Sequence, residues 1–85
     1  MEKLLITCRT LTHAQRCVRL LERRGIVAAV IKAPPELTRA GCGYAVSLRR
    51  SGAEAVRMLR EASMLNGKIY RLEERGWREV SDDLS

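Results

Sequence analysis

Residues 3–25 read Lys3-Leu4-Leu5-Ile6-Thr7-Cys8-Arg9-Thr10-Leu11-Thr12-His13-Ala14-Gln15-Arg16-Cys17-Val18-Arg19-Leu20-Leu21-Glu22-Arg23-Arg24-Gly25, and a change of period within them decides the fold. Leu4, Ile6 and Cys8 alternate with Leu5, Thr7 and Arg9, the two-residue repeat of a strand. Ala14, Cys17, Val18 and Leu21 instead recur at i, i+3, i+4 and i+7, which is one apolar stripe of a helix. Thr12, with Gln15 three residues on, has the capping-box pattern of a helix start. Gly25 suits the helix C-terminus, where a left-handed residue is often needed.

The same grammar extends along the chain. Residues 26–31 form a short, nearly continuous apolar run ended by Pro34-Pro35, which reads as a buried strand followed by a break. Residues 33–43 read as a loop. Tyr44, Val46 and Leu48 alternate with Ala45, Ser47 and Arg49 as a third strand. Ser51 is placed to cap a second helix with the stripe Ala55, Val56, Leu59 and Ala62, and Asn66-Gly67 would end it. Ile69, Tyr70 and Leu72 make a last short strand. The order βαββαβ predicts an α+β, ferredoxin-like fold: an antiparallel four-stranded sheet with two helices on one face. The domain is read as residues 1–73, with 74–85 a charged, frayed tail from which Trp77 can fold back onto the body.

Eighty-five residues make one small domain, and 46% apolar residues are enough for a folded core. No apolar run approaches the roughly 20 residues of a spanning helix. The first residues read as a strand rather than a signal peptide, so a cytoplasmic protein without membrane contact is expected. Three cysteines cannot all pair within the chain, and a reducing compartment makes free thiols the default. There is no Cys-x-x-Cys and His13 is the only histidine, so neither a metal site nor a cofactor is expected. Cys8 on the strand's apolar face and Cys17 on the helix stripe read as inert core thiols. The net charge of +6 is spread over several helix faces. With no Phe and only Tyr44, Tyr70 and Trp77 as aromatics, the chain offers few platforms for bases, which argues against nucleic acid. A basic surface that steers an anionic or acidic partner fits as well.

Cys42 is the one cysteine that pattern places in a loop, within Arg39-Ala40-Gly41-Cys42-Gly43-Tyr44. Gly41 and Gly43 leave its sulfur unhindered and free the backbone N–H groups to reach a ligand, and Arg39 supplies positive charge that favours the thiolate. The alternative is a tight turn before a strand with an incidental cysteine, and residue chemistry leaves both readings open. The crossover helix makes the first two strands parallel, so the loops that follow them leave the same end of the sheet. Thr12 and His13 in the first of those loops therefore share an end with Arg39 and Cys42 in the second. His13 is a candidate proton partner for Cys42, the alternative being an exposed first-turn histidine without a partner.

The run Thr12-His13-Ala14, then Gly25-Ile26 into a strand, then a proline-bearing loop ending in Gly41-Cys42-Gly43-Tyr44-Ala45-Val46, resembles the DUF3343 family of selenium/sulfur carrier-like proteins. The resemblance covers roughly residues 3–72. It implies that Cys42 is the chalcogen-bearing thiolate, with Gly43 the glycine that follows it and Thr12 and His13 the turn before the first helix. Cys8 departs from the family pattern, where a larger apolar residue is common, and so adds a thiol nearby. The implied function is a sulfur or selenium carrier that holds a persulfide or selenopersulfide on Cys42. Its implied partners are a cysteine desulfurase-like donor and an acceptor enzyme. The competing expectation is a regulatory or protein-interaction module with the same fold and no cysteine chemistry. A third is RNA binding through the sheet face. Whether the protein is an enzyme, and its oligomeric state, stay open.

Overall fold

The computed structural model describes residues 3–40 and 43–80, with residues 38–40 by their backbone only. Five strands and two helices follow in the order β1 (Leu4–Cys8), α1 (Leu11–Arg23), β2 (Ala29–Lys32), a 3-10 helix (Pro35–Ala40), β3 (Tyr44–Leu48), α2 (Gly52–Glu61), β4 (Ile69–Glu73) and β5 (Gly76–Val80). The sheet order is β2-β3-β1-β4-β5, and every neighbouring pair is antiparallel. The first four strands have the ferredoxin-like arrangement expected from the βαββαβ order. The sheet, however, has five strands rather than four.

The fifth strand comes from the stretch read as a charged tail. Glu74 and Arg75 form a two-residue turn between β4 and β5, and Gly76 takes the left-handed φ of +115° beside it. Glu-Arg is not a hairpin signal, and β5 has only Trp77 and Val80 as large apolar residues, so its alternation is hard to see. Those two residues nonetheless reach opposite faces of the sheet: Val80 packs against the helix-side core and Trp77 against the other side. The charged pairs Lys68–Glu79 (3.5 Å) and Glu73–Arg78 (3.7 Å) are exposed and add little.

All five residues of β1 are buried. Leu4, Ile6 and Cys8 face the helices, packing with Ala14, Cys17 and Leu21 of α1 and Ala55, Val56 and Leu59 of α2. Leu5 faces the other way, into a smaller cluster with Ala45, Ala33 and Leu37, flanked by Tyr70 and Trp77. The 3-10 helix carries Leu37 onto that second face, so part of the stretch read as a plain loop is a covering layer. β2 is shorter than the apolar run suggested and lies at the edge of the sheet. Ile26 and Ala28 are buried ahead of it, while Val27 is 87% exposed. Among the described residues no helix is long and apolar enough to cross a membrane.

The helix ends differ from the sequence reading in instructive ways. Thr10, not Thr12, is the N-cap of α1, and its hydroxyl accepts from the His13 N–H at 3.1 Å. At the other end Gly25 N–H donates to Glu22 O and Ile26 N–H to Leu21 O, the paired bonds of a Schellman motif, with Gly25 at φ +81°. Ser51 precedes α2 in a left-handed conformation and makes no side-chain cap bond. That helix ends at Glu61 instead of Asn66-Gly67. Ser63, at φ +57°, closes a second Schellman pair in which Ser63 N–H donates to Arg60 O and Met64 N–H to Leu59 O. The freed stretch 62–68 then runs across the end of β1. Thr7 donates both its N–H (2.9 Å) and its hydroxyl (2.6 Å) to the Lys68 carbonyl. Gly67 lies so close to Thr7 that an added Cβ would run into the Thr7 carbonyl and come within 2.6 Å of its Oγ1.

Two stability measurements test this arrangement. Gly67→Ala should destabilise the protein by about 1–3 kcal/mol in urea unfolding, because the backbone of a buried central strand has little room to yield. Thr10→Ala should cost about 1 kcal/mol and Thr12→Ala only a few tenths; the reverse ranking would return the cap to Thr12.

Candidate functional site

The register of the sheet defines one end of the molecule. Cys8 pairs with Tyr44, and Tyr44 with Lys32, so the end of β1, the end of β2 and the start of β3 lie together. Gly43 is at this end, exposed, with its carbonyl accepting the Ala33 N–H at 3.1 Å. The first turn of α1 and the stretch 62–68 reach the same end, where Met64 meets His13 and Lys68 meets Thr7.

At this end the structure brings together three side chains that the sequence reading kept apart. Cys8 is the last residue of β1 and points to the helix face. Only Arg9 and Thr10 separate it from α1, and the Thr10 cap sets the angle at which the helix starts. His13 and Cys17 are four residues apart on α1 and therefore share a face. The sulfurs of Cys8 and Cys17 and a ring nitrogen of His13 all lie within 4.8 Å of one another. Both thiols are buried, at 1% and 0% exposure, and His13 is half-buried at the rim.

The Met64 carbonyl closes the cluster from the far side. His13 Nε2 lies 2.5 Å from it and Cys17 Sγ 3.9 Å. The backbone acceptor places the proton on Nε2, which leaves Nδ1 with its lone pair. The single S–H of Cys8 has two acceptors within reach, the Ile6 carbonyl at 3.6 Å and the Cys17 sulfur. A hydrogen bond from Cys8 holds the Cys17 thiol below the usual cysteine range, with burial opposing it. Two adjacent thiols and an imidazole make a set of soft and borderline donors of the kind that holds a metal ion.

The other expected site residues are placed as follows. Thr12 is exposed on the first turn of α1 and does not join the cluster. His13 has a partner in Met64, which corrects the alternative of an exposed, unpartnered histidine. Arg39 lies at the end of the 3-10 helix, and Gly43 is where the chain enters β3. Gly41 and Cys42 lie outside the described residues. Cys8 and Cys17 are buried as expected, but adjacent and hydrogen-bonded rather than separate. The missed signal was His13-x-x-x-Cys17 following a cysteine at a strand end. Such a set has no Cys-x-x-Cys pattern because its first member comes from a different element.

A groove of about 670 Å³ lies at the opposite end of the sheet, lined among others by Lys3, Gly25, Val27, Arg49 and Arg50. It lies away from Cys8 and Cys17, and Ser47 and Ser51 are among its other lining residues. The cluster of Cys8, His13 and Cys17 lies at the other end of the sheet, with Gly43.

A family model described as "Putative Se/S carrier protein-like" matches residues 3–71. No curated protein and no solved structure matches the chain.

The burial of the two thiols has a direct chemical consequence. Iodoacetamide applied to the native, reduced protein should leave Cys8 and Cys17 unmodified, and both should alkylate once urea unfolds the chain. Peptide mass mapping reads this out; rapid native labelling of either thiol would contradict the packing of β1 against α1.

Proposed function

The chain belongs to the Se/S carrier-like family, and from that premise we propose that it carries sulfur or selenium as a persulfide or selenopersulfide on Cys42. The observation that carries this reading is the family match over residues 3–71, which spans both the Cys42-Gly43 loop and the Thr12-His13 helix start. Carriers of this kind meet a donor and an acceptor protein in turn. A cysteine desulfurase-like donor and an acceptor enzyme are the partners this chemistry requires.

The loading step needs a thiolate and little else. The Cys42 thiolate attacks the outer sulfur of a persulfide on the donor, Enz–S–SH. A new S–S bond forms to give Cys42–S–SH, the donor's S–S bond breaks, and the donor cysteine leaves as its thiolate. The selenium case differs only in the atom transferred. Delivery is the same exchange, with the acceptor's nucleophile attacking the outer atom. Glycines on both sides of Cys42 allow a partner's active site to close on the sulfur and leave backbone N–H groups free for the terminal anion. Arg39 adds positive charge in the same stretch. Pro34 and Pro35 stiffen the base of the loop, which lowers the entropy lost on docking.

The fold supports a loop-borne function over one on the sheet surface. Leu37, Ala33, Tyr70 and Trp77 cover the face opposite the helices, and β1 is buried throughout. RNA binding across that face would have the half-buried Tyr70 and Trp77 to stack on, beside the covering Leu37.

Incubation of the reduced protein with a cysteine desulfurase and either cysteine or selenocysteine, followed by intact and peptide mass spectrometry, tests the proposal. A persulfide or selenopersulfide confined to Cys42 and abolished in Cys42→Ser is the expected result. Absence of any adduct at Cys42, or equal labelling of all three thiols, would replace the carrier by an interaction module.

A further inference from the structure

We propose that Cys8, His13 and Cys17 form a binding site for a thiophilic divalent cation, with Zn2+ as the type ion, distinct from the loop thiol of the carrier reading. The argument begins with placement. The three donors come from the end of β1 and two successive turns of α1, elements fixed by the buried core rather than by a loop. Their ligand atoms lie within 4.8 Å of one another. Bond lengths of roughly 2.0–2.3 Å in a tetrahedral zinc site put neighbouring donors roughly 3.5–3.8 Å apart. The set therefore has to draw in by roughly 1.3 Å at most.

Charge decides which ion fits. Two thiolates and a neutral imidazole exactly balance a divalent cation, so the occupied site carries no net charge into the core. A monovalent ion would leave one negative charge buried in the helix-side core, at a large desolvation cost. The Met64 carbonyl beside Nε2 would fix the tautomer and ring plane of His13 as it ligates through Nδ1. Met64 supplies that carbonyl from the stretch 62–68, so the ion would tie the end of β1 and the start of α1 to the segment that follows α2. Half-buried His13 marks the side from which an ion gains access. Three protein donors leave the fourth position of a tetrahedral ion to a small exogenous ligand.

The test uses the full chain, kept reduced. Zn2+ titrated in competition with a chromophoric chelator should show one ion per chain. His13→Gln, Cys8→Ser and Cys17→Ser should each weaken binding by more than the roughly 10–100-fold that loss of an outer-shell partner costs, whereas Cys42→Ser should bind as wild type. Because a serine in the core can impair folding, two readouts stand apart from those variants. Co2+ added to the wild-type protein should give the intense sulfur-to-metal charge-transfer absorption of thiolate ligation. His13→Gln, changed at the rim, should stay folded by circular dichroism while losing the Zn2+-dependent rise in Tm. No competition with the chelator, Co2+ spectra without thiolate bands, or binding lost in Cys42→Ser would each overturn the site. The last result separates the two proposals, since the carrier reading depends on Cys42 and the cation site does not.

Discussion

Burial of β1 on both faces is the constraint from which the rest of the molecule follows. Leu4, Leu5 and Ile6 are each almost wholly removed from water, and full burial of such a side chain is worth about 1.5–3 kcal/mol. That gain requires two covers. The apolar stripes of α1 and α2 supply one, and Ala33 and Leu37, beside the same-face neighbours Ala45, Tyr70 and Trp77, supply the other. A buried strand also cannot leave polar groups unpaired. Thr7 meets this by donating twice to Lys68, which pulls the stretch 62–68 over the strand end and makes the close approach of Gly67 necessary. The carbonyl of Met64 arrives over His13 and Cys17 because this stretch is held there.

Much of the fold was legible because its elements have clean periods. The switch from alternation at 4–8 to a helical stripe at 14–21 located β1 and α1, and Tyr44, Val46 and Leu48 located β3. Gly25 was correctly read as a helix stop because only a left-handed residue fits the paired bonds there. The errors came where local chemistry had two solutions. Thr10 and Thr12 both precede His13-Ala14, and the cap went to the one whose hydroxyl faces the His13 N–H. Asn66-Gly67 looked like a helix end, but the glycine serves a close backbone approach and Ser63 takes the left-handed position. β5 escaped notice because an edge strand next to water needs few apolar residues, and Trp77 and Val80 suffice.

The site was legible to different degrees for a physical reason. Shared placement of the ends of β1 and β2 follows from topology alone, and the registers of Cys8, Tyr44 and Lys32 agree with it. The likeness to selenium/sulfur carriers was carried by the Thr-His helix start and the Cys-Gly strand start, and the family match over residues 3–71 bears it out. Contacts between side chains of different elements are another matter. Cys8 and Cys17 were each placed in the core by their own periodicity, and two separate assignments of "inside" do not say that the two sulfurs meet. Their meeting depends on the short turn Arg9-Thr10, which starts α1 directly over the strand it has just left.

That geometry divides the thiols by chemistry. A carrier's sulfur has to be reached by two partner proteins in turn, and the proposed role places that demand on Cys42. Cys8 and Cys17 are closed off by β1, α1 and Met64, so a protein-sized donor has no line of attack on either sulfur. What can reach them is small. A cation admitted past His13 needs only donors, charge balance and a slight contraction, all of which rigid elements provide better than a loop. Loading by exchange and binding of an ion therefore make opposite demands on accessibility. The two proposals therefore call on different thiols, Cys42 for exchange and the Cys8–Cys17 pair at the junction of β1 and α1 for the ion.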